Sequence, residues 1–333
     1  MVNKKQIRKK FIFLVLLIFL SMALYLYARL FAKALDSGIP LTFPVAIRIL
    51  KRSAASLLGM GISAALIAVV SLAFQTITEN RVLTPSMLGF DSVFLATQSL
   101  LVYFAASVRF MAKMFSNPYC NFFAAAGIML LISMLMYGIM LRKDKNHIVF
   151  LLLFGLILSS IVQSFTNYIE VLLDPQQFQQ LKAVTTVSVT NMNENIILLA
   201  APVMLLLTGL FVSKSREFDV MLLGENNAKS LGVPYTKRVN HILLLIAFGM
   251  AVTTALIGPL TFLGLLAVNI ARELFKTYHH SILFFGSVFM SILFLILGQA
   301  VVELLRYAAP VTVLIDLVGG TYMIFLIMKE HRL

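Results

Sequence analysis

Asp219-Val220-Met221-Leu222-Leu223-Gly224-Glu225-Asn226-Asn227-Ala228-Lys229-Ser230-Leu231-Gly232-Val233-Pro234 is a polar island in a chain that is otherwise almost entirely apolar. Upstream, Asn195 to Ser213 holds no Lys, Arg, Asp or Glu, and downstream Asn240 to Ala271 holds none. The island carries firm start and stop signals. Glu225 to Leu231 can form two turns of helix, with Gly224 as N-cap, Gly232 in the left-handed position after the last turn and Pro234 barring continuation. Gly224 and Ala228 lie four apart and Ala228 and Leu231 three apart, so both pairs are expected to share a face. A short capped helix with a small, partly apolar face suits two roles: a docking knob for a soluble partner, or a solvated surface helix that touches nothing.

Composition makes the flanking blocks membrane spans. Of 333 residues, 60% are hydrophobic and 12% charged, with mean hydropathy +0.94. A soluble domain carries about 25% charged residues. The chain is therefore expected to be an all-α polytopic membrane protein. Its net charge of +13 then reports topology and gives no reason to expect nucleic acid. The single cysteine, Cys120, excludes an intrachain disulfide and a cysteine metal cluster. Trp is absent, so Tyr and Phe supply any interfacial aromatics.

Ten spans follow from the apolar runs. Lys4, Lys5, Arg8, Lys9 and Lys10 precede the uncharged run Phe11–Ala28, and no small-residue cleavage site comes after it, so it reads as a first span with a cytoplasmic N-terminus. The next are Ser53–Thr78, Val82–Val108, Asn121–Leu141, Ile148–Ile169 and Asn195–Ser213. Val239–Ala271 would be about 50 Å long as one helix, against a hydrocarbon core of roughly 30 Å. It divides into two spans at Gly258-Pro259. Ile282–Val302 and Val311–Met328 complete the set, which leaves the C-terminus cytoplasmic too. Two thirds of the 27 Lys and Arg residues then fall inside, as the positive-inside rule requires. The exception is the outer segment with Arg29, Lys33, Arg48, Lys51 and Arg52. Those cations could meet an acidic partner or snorkel to lipid phosphates.

Catalytic patterns are missing. Gly224 to Ser230 lacks the second glycine of a phosphate-binding loop, and neither HExxH nor GxSxG occurs. His147, His241, His279, His280 and His331 lie at expected cytoplasmic span ends and read as interfacial; no metal site is expected. Asp91, Glu303 and Asp316 are the acids near spans. A charge at mid-membrane costs about 2.5–3.5 kcal/mol on insertion scales, so each should face protein or water. Asp91, nine residues into its expected span, is the deepest, and either accepts hydrogen bonds from a neighbouring helix or relays protons.

The segment Phe74-Gln75-Thr76-Ile77-Thr78-Glu79-Asn80-Arg81-Val82-Leu83-Thr84-Pro85-Ser86-Met87-Leu88-Gly89-Phe90-Asp91 reads as a tight polar turn, with Pro85 near a helix start and Gly89 allowing close approach. Before it, Gly59, Gly61, Ser63, Ala64 and Ala65 form a small-residue face. Gln75, Asn80, Pro85 and Gly89 resemble the signature Q…NPLADPxxLG of the FecCD-like permeases, the iron–siderophore and cobalamin ABC importers. Leu223, Gly224, Ala228, Leu231, Gly232 and Val233 resemble that family's coupling segment LGxxxAxxLGV. Gly258-Pro259-Leu260-Thr261-Phe262-Leu263-Gly264-Leu265, followed by Ile270-Ala271-Arg272, resembles GPIxFVGLxxPHIAR, and Gly319-Gly320 resembles the start of GGPxF. The motifs stand in family order over residues 48 to 328. Two departures are Val268-Asn269 for Pro-His and Thr321 for Pro. The junction looks closest to the branch for catechol or mixed siderophores of the petrobactin and anguibactin kind.

The resemblance implies a permease subunit of type II ABC importer architecture, one transmembrane domain over residues 1–333, in a prokaryotic cell membrane. It implies a second permease subunit, either a different chain or a second copy, and a dimer of ATPase subunits that hold the ATP and Mg while this chain binds no cofactor and catalyses nothing. Leu223, Gly224, Glu225, Ala228, Leu231 and Gly232 would sit in a groove on an ATPase. An extracytoplasmic siderophore-binding protein would dock on Arg48, Lys51 and Arg52, with Arg306 a further candidate. The fifth and tenth spans would line the path, making Gln163, Thr166 and Asn167 possible lining groups, with helix–helix hydrogen bonding the other reading. The cargo could instead be cobalamin, haem or a metal ion. An ion-coupled secondary transporter would need paired broken helices, and the sequence offers one clear break. A membrane enzyme would need clustered acids or histidines, which are dispersed here.

Overall fold

A computed structural model of the chain describes residues 4–37, 43–141, 148–186, 189, 192–306 and 309–330. Among them there are fourteen α-helices and no strand: α1 Lys4–Ser37, α2 Phe43–Ile77, α3 Phe90–Ala105, α4 Arg109–Ser116, α5 Pro118–Leu141, α6 Ile148–Leu172, α7 Pro175–Thr185, α8 Glu194–Ser213, α9 Ser215–Met221, α10 Glu225–Ser230, α11 Tyr235–Ile257, α12 Leu263–Phe275, α13 His280–Leu304 and α14 Val311–Glu330. Eight of them (α1, α2, α5, α6, α8, α11, α13 and α14) are long and apolar enough to cross a membrane. The other two expected spans are present as shorter helices, α3 and α12, about 24 and 20 Å long.

The break at Gly258-Pro259 is where the sequence places it. α11 stops at Ile257, Gly258 takes φ 92°, and α12 begins at Leu263. The third span is corrected. It was expected from Val82, but Pro85 opens a 3-10 turn over Pro85–Leu88 that closes on Gly89 in the left-handed region, and α3 starts only at Phe90. Asp91 therefore sits in the first turn of α3 and not deep in a span. There a negative charge complements the positive end of the helix dipole, and Oδ2 accepts from the Thr261 hydroxyl at 2.9 Å. The first two helices outrun their apolar cores, so Arg48, Lys51 and Arg52 stand on α2 and not in a loop.

α7 was not anticipated, although its signal is local. Pro175 occupies its first turn, and Asp174 and Gln177 form a reciprocal capping box, with Gln177 N donating to Asp174 Oδ1 at 2.8 Å and Asp174 N to Gln177 Oε1 at 3.1 Å.

The helices cluster into two units. One comprises Met1–Leu72, Val189–Asp219 and Phe262–Leu333. Within it α1 and α12 flank α13, and α14 packs on α12 and α13. Close approach there depends on glycine. A Cβ on Gly264 would lie 1.9 Å from Ser71 Oγ and 2.7 Å from Ser71 Cβ, and one on Gly319 would lie 2.5 Å from Phe262 Cβ. Lipid-embedded helices gain little from apolar burial, so small residues that bring backbones together do the work. The other unit comprises Ala73–Ser188 and Val220–Thr261, with α3 packed on α6 and α7, and α11 on α5.

Candidate functional site

The polar island folds as its punctuation requires. Gly224 takes φ 86° and caps α10. At the other end Val233 N donates to Ala228 O and Gly232 N to Lys229 O, each at 3.0 Å, with Gly232 at φ 85°. These two bonds are the Schellman pattern, and they satisfy carbonyls that a short helix would leave bare. Asn227 Nδ2 ties back to Leu223 O at 2.8 Å, and Lys229 Nζ pairs with Glu225 Oε1 at 2.6 Å across one turn. The pair is exposed and contributes little stability.

The side chains divide in a way the spacing did not give. Ala228 is fully buried, while Leu223 and Leu231 are 53% and 63% exposed. Ala228 and Leu231 were expected on one face. Leu231 follows the last helical residue as the C-cap, and the turn carries its side chain outward. The result is a small backbone knob seated on its own unit through Ala228, with two leucines offered to whatever lies beyond. Under it lies the junction: a Cβ on Gly224 would lie 3.5 Å from Glu79 Oε1. The junction has its own tight geometry. Asn80 N donates to Gln75 O, Asn80 Oδ1 accepts from Val82 N at 2.9 Å, and Glu79 takes a positive φ of 52°. Gln75 is buried. The Asp91–Thr261 bond then joins this junction to the Gly258-Pro259 motif.

At the head of the island, Asp219 does something no local signal announced. Its Oδ1 accepts from His280 N at 2.6 Å and contacts His280 Nδ1 at 2.8 Å, so it caps α13 from 61 residues away. His280 is buried and packs near the Phe218 ring. His147 and His331 lie outside the described residues.

The expected docking cations separate into two kinds. Arg48, Lys51 and Arg52 are exposed and stand three and four apart on α2, opposite buried Ile49 and Ser53. Arg306 is exposed just past the end of α13, at φ 53°. Arg29, grouped with them by sequence, is corrected: it is buried, and its guanidinium bonds to the Tyr25 hydroxyl and lies over that ring. Of the possible path groups, Gln163 Nε2 donates to Asn167 Oδ1 at 3.0 Å on one face of α6. Thr166 beside them is buried and bonds to Val162 O. Of the remaining motif residues, Arg272 lies in the last turn of α12, where its charge complements the helix end, and Gly320 faces open space.

Two of the four motifs are thus joined through Asp91 and Thr261. The FecCD transport family model matches residues 11–329. The chain belongs to the FecCD transport family. It is a multi-pass membrane permease of that family. Among its relatives, the petrobactin import system permease protein YclO of Bacillus subtilis (strain 168) is 40% identical over 268 residues, 80% of this chain and 84% of that protein. The petrobactin import system permease protein FatC of Bacillus anthracis is 30% identical over 337 residues, 99% of this chain and 92% of that protein. In fold, this FecCD chain resembles a solved chain in an inward-facing conformation, assigned to a metal-chelate type of ABC transporter. The TM-score is 0.80 at 19% identity, over 97% of this chain and 99% of that one. Both petrobactin relatives are permease components of import systems.

Proposed function

We propose that this FecCD chain is the transmembrane subunit of an ATP-driven importer for a ferric siderophore of the petrobactin type, delivered by an extracytoplasmic binding protein. ATP would be bound and hydrolysed on a pair of separate ATPase subunits, and a second permease subunit would complete the path. The cargo class rests on the two petrobactin permeases among its relatives. The coupling rests on one geometric observation: α10 is fixed at both ends by glycines and seated through Ala228, while Leu223 and Leu231 remain exposed. A rigid knob of that kind transmits displacement, whereas a flexible loop would absorb it. Burying a leucine is worth about 1.5–3 kcal/mol, enough for Leu231 to matter in a modest docking contact.

The test is co-purification followed by transport. Leu231→Asp should cost about ten-fold or more in ATPase association, the scale set by losing a buried leucine and burying a charge, while membrane insertion stays normal. Purified importer in vesicles should take up binding-protein-delivered ferric petrobactin only with ATP inside. Normal ATPase retention by Leu231→Asp would remove α10 from the coupling role. Uptake driven by a proton gradient, with no ATPase bound, would sink the whole reading.

A further inference from the structure

The first helix has an unusual edge. Lys4, Arg8, Phe11, Val15 and Phe19 recur at three- and four-residue intervals, so they stack along one face of α1. With Ile282 of α13 they line an open groove of about 580 Å³. Its two ends differ in chemistry. Lys4 and Arg8 are exposed at the mouth, and everything below them on this stripe is hydrocarbon. The floor is held by the core of the unit: the Phe11 ring packs at 4.6 Å from that of Phe275 and 5.7 Å from that of Phe289, and Lys10 Nζ is anchored on Leu274 O at 2.6 Å.

Three facts narrow the occupant. The stripe is about 22 Å long from Lys4 to Phe19, the length of a phospholipid from its phosphate well into an acyl chain. It lies on a helix long and apolar enough to cross a membrane, and only 22% of that helix's most apolar window is buried inside the protein, so its apolar part is open to lipid. And its mouth is strongly positive. Lys4, Lys5, Arg8, Lys9 and Lys10 precede the span, and the chain has no acidic residue before Asp36. A neutral headgroup gains nothing from such a mouth, whereas an anionic phosphate does, and basic pockets at the cytoplasmic ends of helix pairs take anionic headgroups for this reason.

We propose that the α1–α13 groove is a binding site for an anionic phospholipid of the cytoplasmic leaflet. Lys4 and Arg8 hold the phosphate, and one acyl chain lies along Phe11, Val15 and Phe19 against Ile282. The site is independent of cargo and of the ATPase, so it stands whether or not the transport reading does.

The experiment uses the assembled importer in nanodiscs with trace photoactivatable phosphatidylglycerol or, in parallel, phosphatidylcholine carrying the same acyl probe, followed by peptide mapping. The phosphatidylglycerol probe should label the first turns of α1 and the start of α13 preferentially. Lys4→Gln with Arg8→Gln should cut that labelling by up to about thirty-fold, the scale of two basic residues beside an anionic headgroup. Lys5→Gln with Lys9→Gln removes the same charge outside the groove and should leave it unchanged. Val15→Trp, which fills the groove and keeps the cations, should also cut it. Equal labelling by the two probes overturns the proposal. So does equal loss from the two charge-removing pairs, which would mean diffuse attraction to a basic tail, and so do protein cross-links in place of lipid at this face.

Discussion

α1 and α2 are nearly matched in length and hydropathy and live in opposite surroundings. Their most apolar windows have hydropathy 2.6 and 2.3, yet 22% of the first is buried inside the protein and 78% of the second. Side-chain size separates them. Along the inner part of α2 run Gly59, Ser63, Ala64, Ala65, Ala68, Ser71 and Ala73, small enough for neighbouring backbones to come close. Along α1 run Phe13, Leu16, Phe19 and Leu20, each more than half exposed. In a bilayer, hydrocarbon is no worse a neighbour than protein, so hydropathy marks a span and says nothing of what surrounds it. Small residues mark where protein packs on protein.

The sharpest way to break this contrast is to put bulk where α2 meets α12. Gly264→Leu would drive a side chain into Ser71, whose Oγ already lies 1.9 Å from where a Cβ would stand. Neither partner is the free end of a flexible chain. Overpacking of this kind typically costs about 1–3 kcal/mol and more where backbone must move. We expect Gly264→Leu to lie at or beyond the top of that range, seen as lost accumulation in the membrane and a large drop in Tm in detergent. A variant that accumulates and melts like the parent would mean the α2–α12 approach is loose.

What the sequence told, and what it withheld, follows the same division between local and distant causes. The Gly258-Pro259 break and the glycine caps of α10 were legible because φ limits on Gly and Pro act on the residue itself. The four motifs were legible because their order along the chain is a one-dimensional fact. The burial of Arg29, the capping of α13 by Asp219 and the inward turn of Ala228 against an outward Leu231 were not. Each depends on a neighbour far along the chain or on one residue of helix phase at a terminus. Asp91 shows how a small local error spreads: starting its helix at Val82 and not at Phe90 made a helix-start acid look like a buried one.

The contrast has an exception at the beginning of α2, where the buried helix emerges as an exposed cationic face of Arg48, Lys51 and Arg52. If that face docks a binding protein, Arg48→Glu with Arg52→Glu should weaken docking by up to about 1 kcal/mol per exposed pair, chiefly through a slower association rate. The loss should shrink as salt rises, since screening acts on exposed charges. Affinity measured by surface binding at low and high salt decides it: unchanged affinity at low salt would remove Arg48 and Arg52 from the docking surface.

The smallest effect is expected at Leu20, and its smallness is the point. Leu20 is 67% exposed on α1 and is not itself among the residues that line the groove toward Ile282. If lipid is its neighbour, Leu20→Ala removes no packed contact. It costs only the difference in insertion preference, about 0.3–0.6 kcal/mol for a leucine at a span centre, and a span of hydropathy 2.6 inserts with margin to spare. Expression and Tm should match the parent. A core truncation of the same size would instead cost about 2–5 kcal/mol. Should Leu20→Ala fall in that second range, the outer face of α1 would have to be covered by protein in the assembled importer. The second permease subunit proposed above would be one candidate, and α1 would differ from α2 in which protein it packs against, no longer in whether it packs at all.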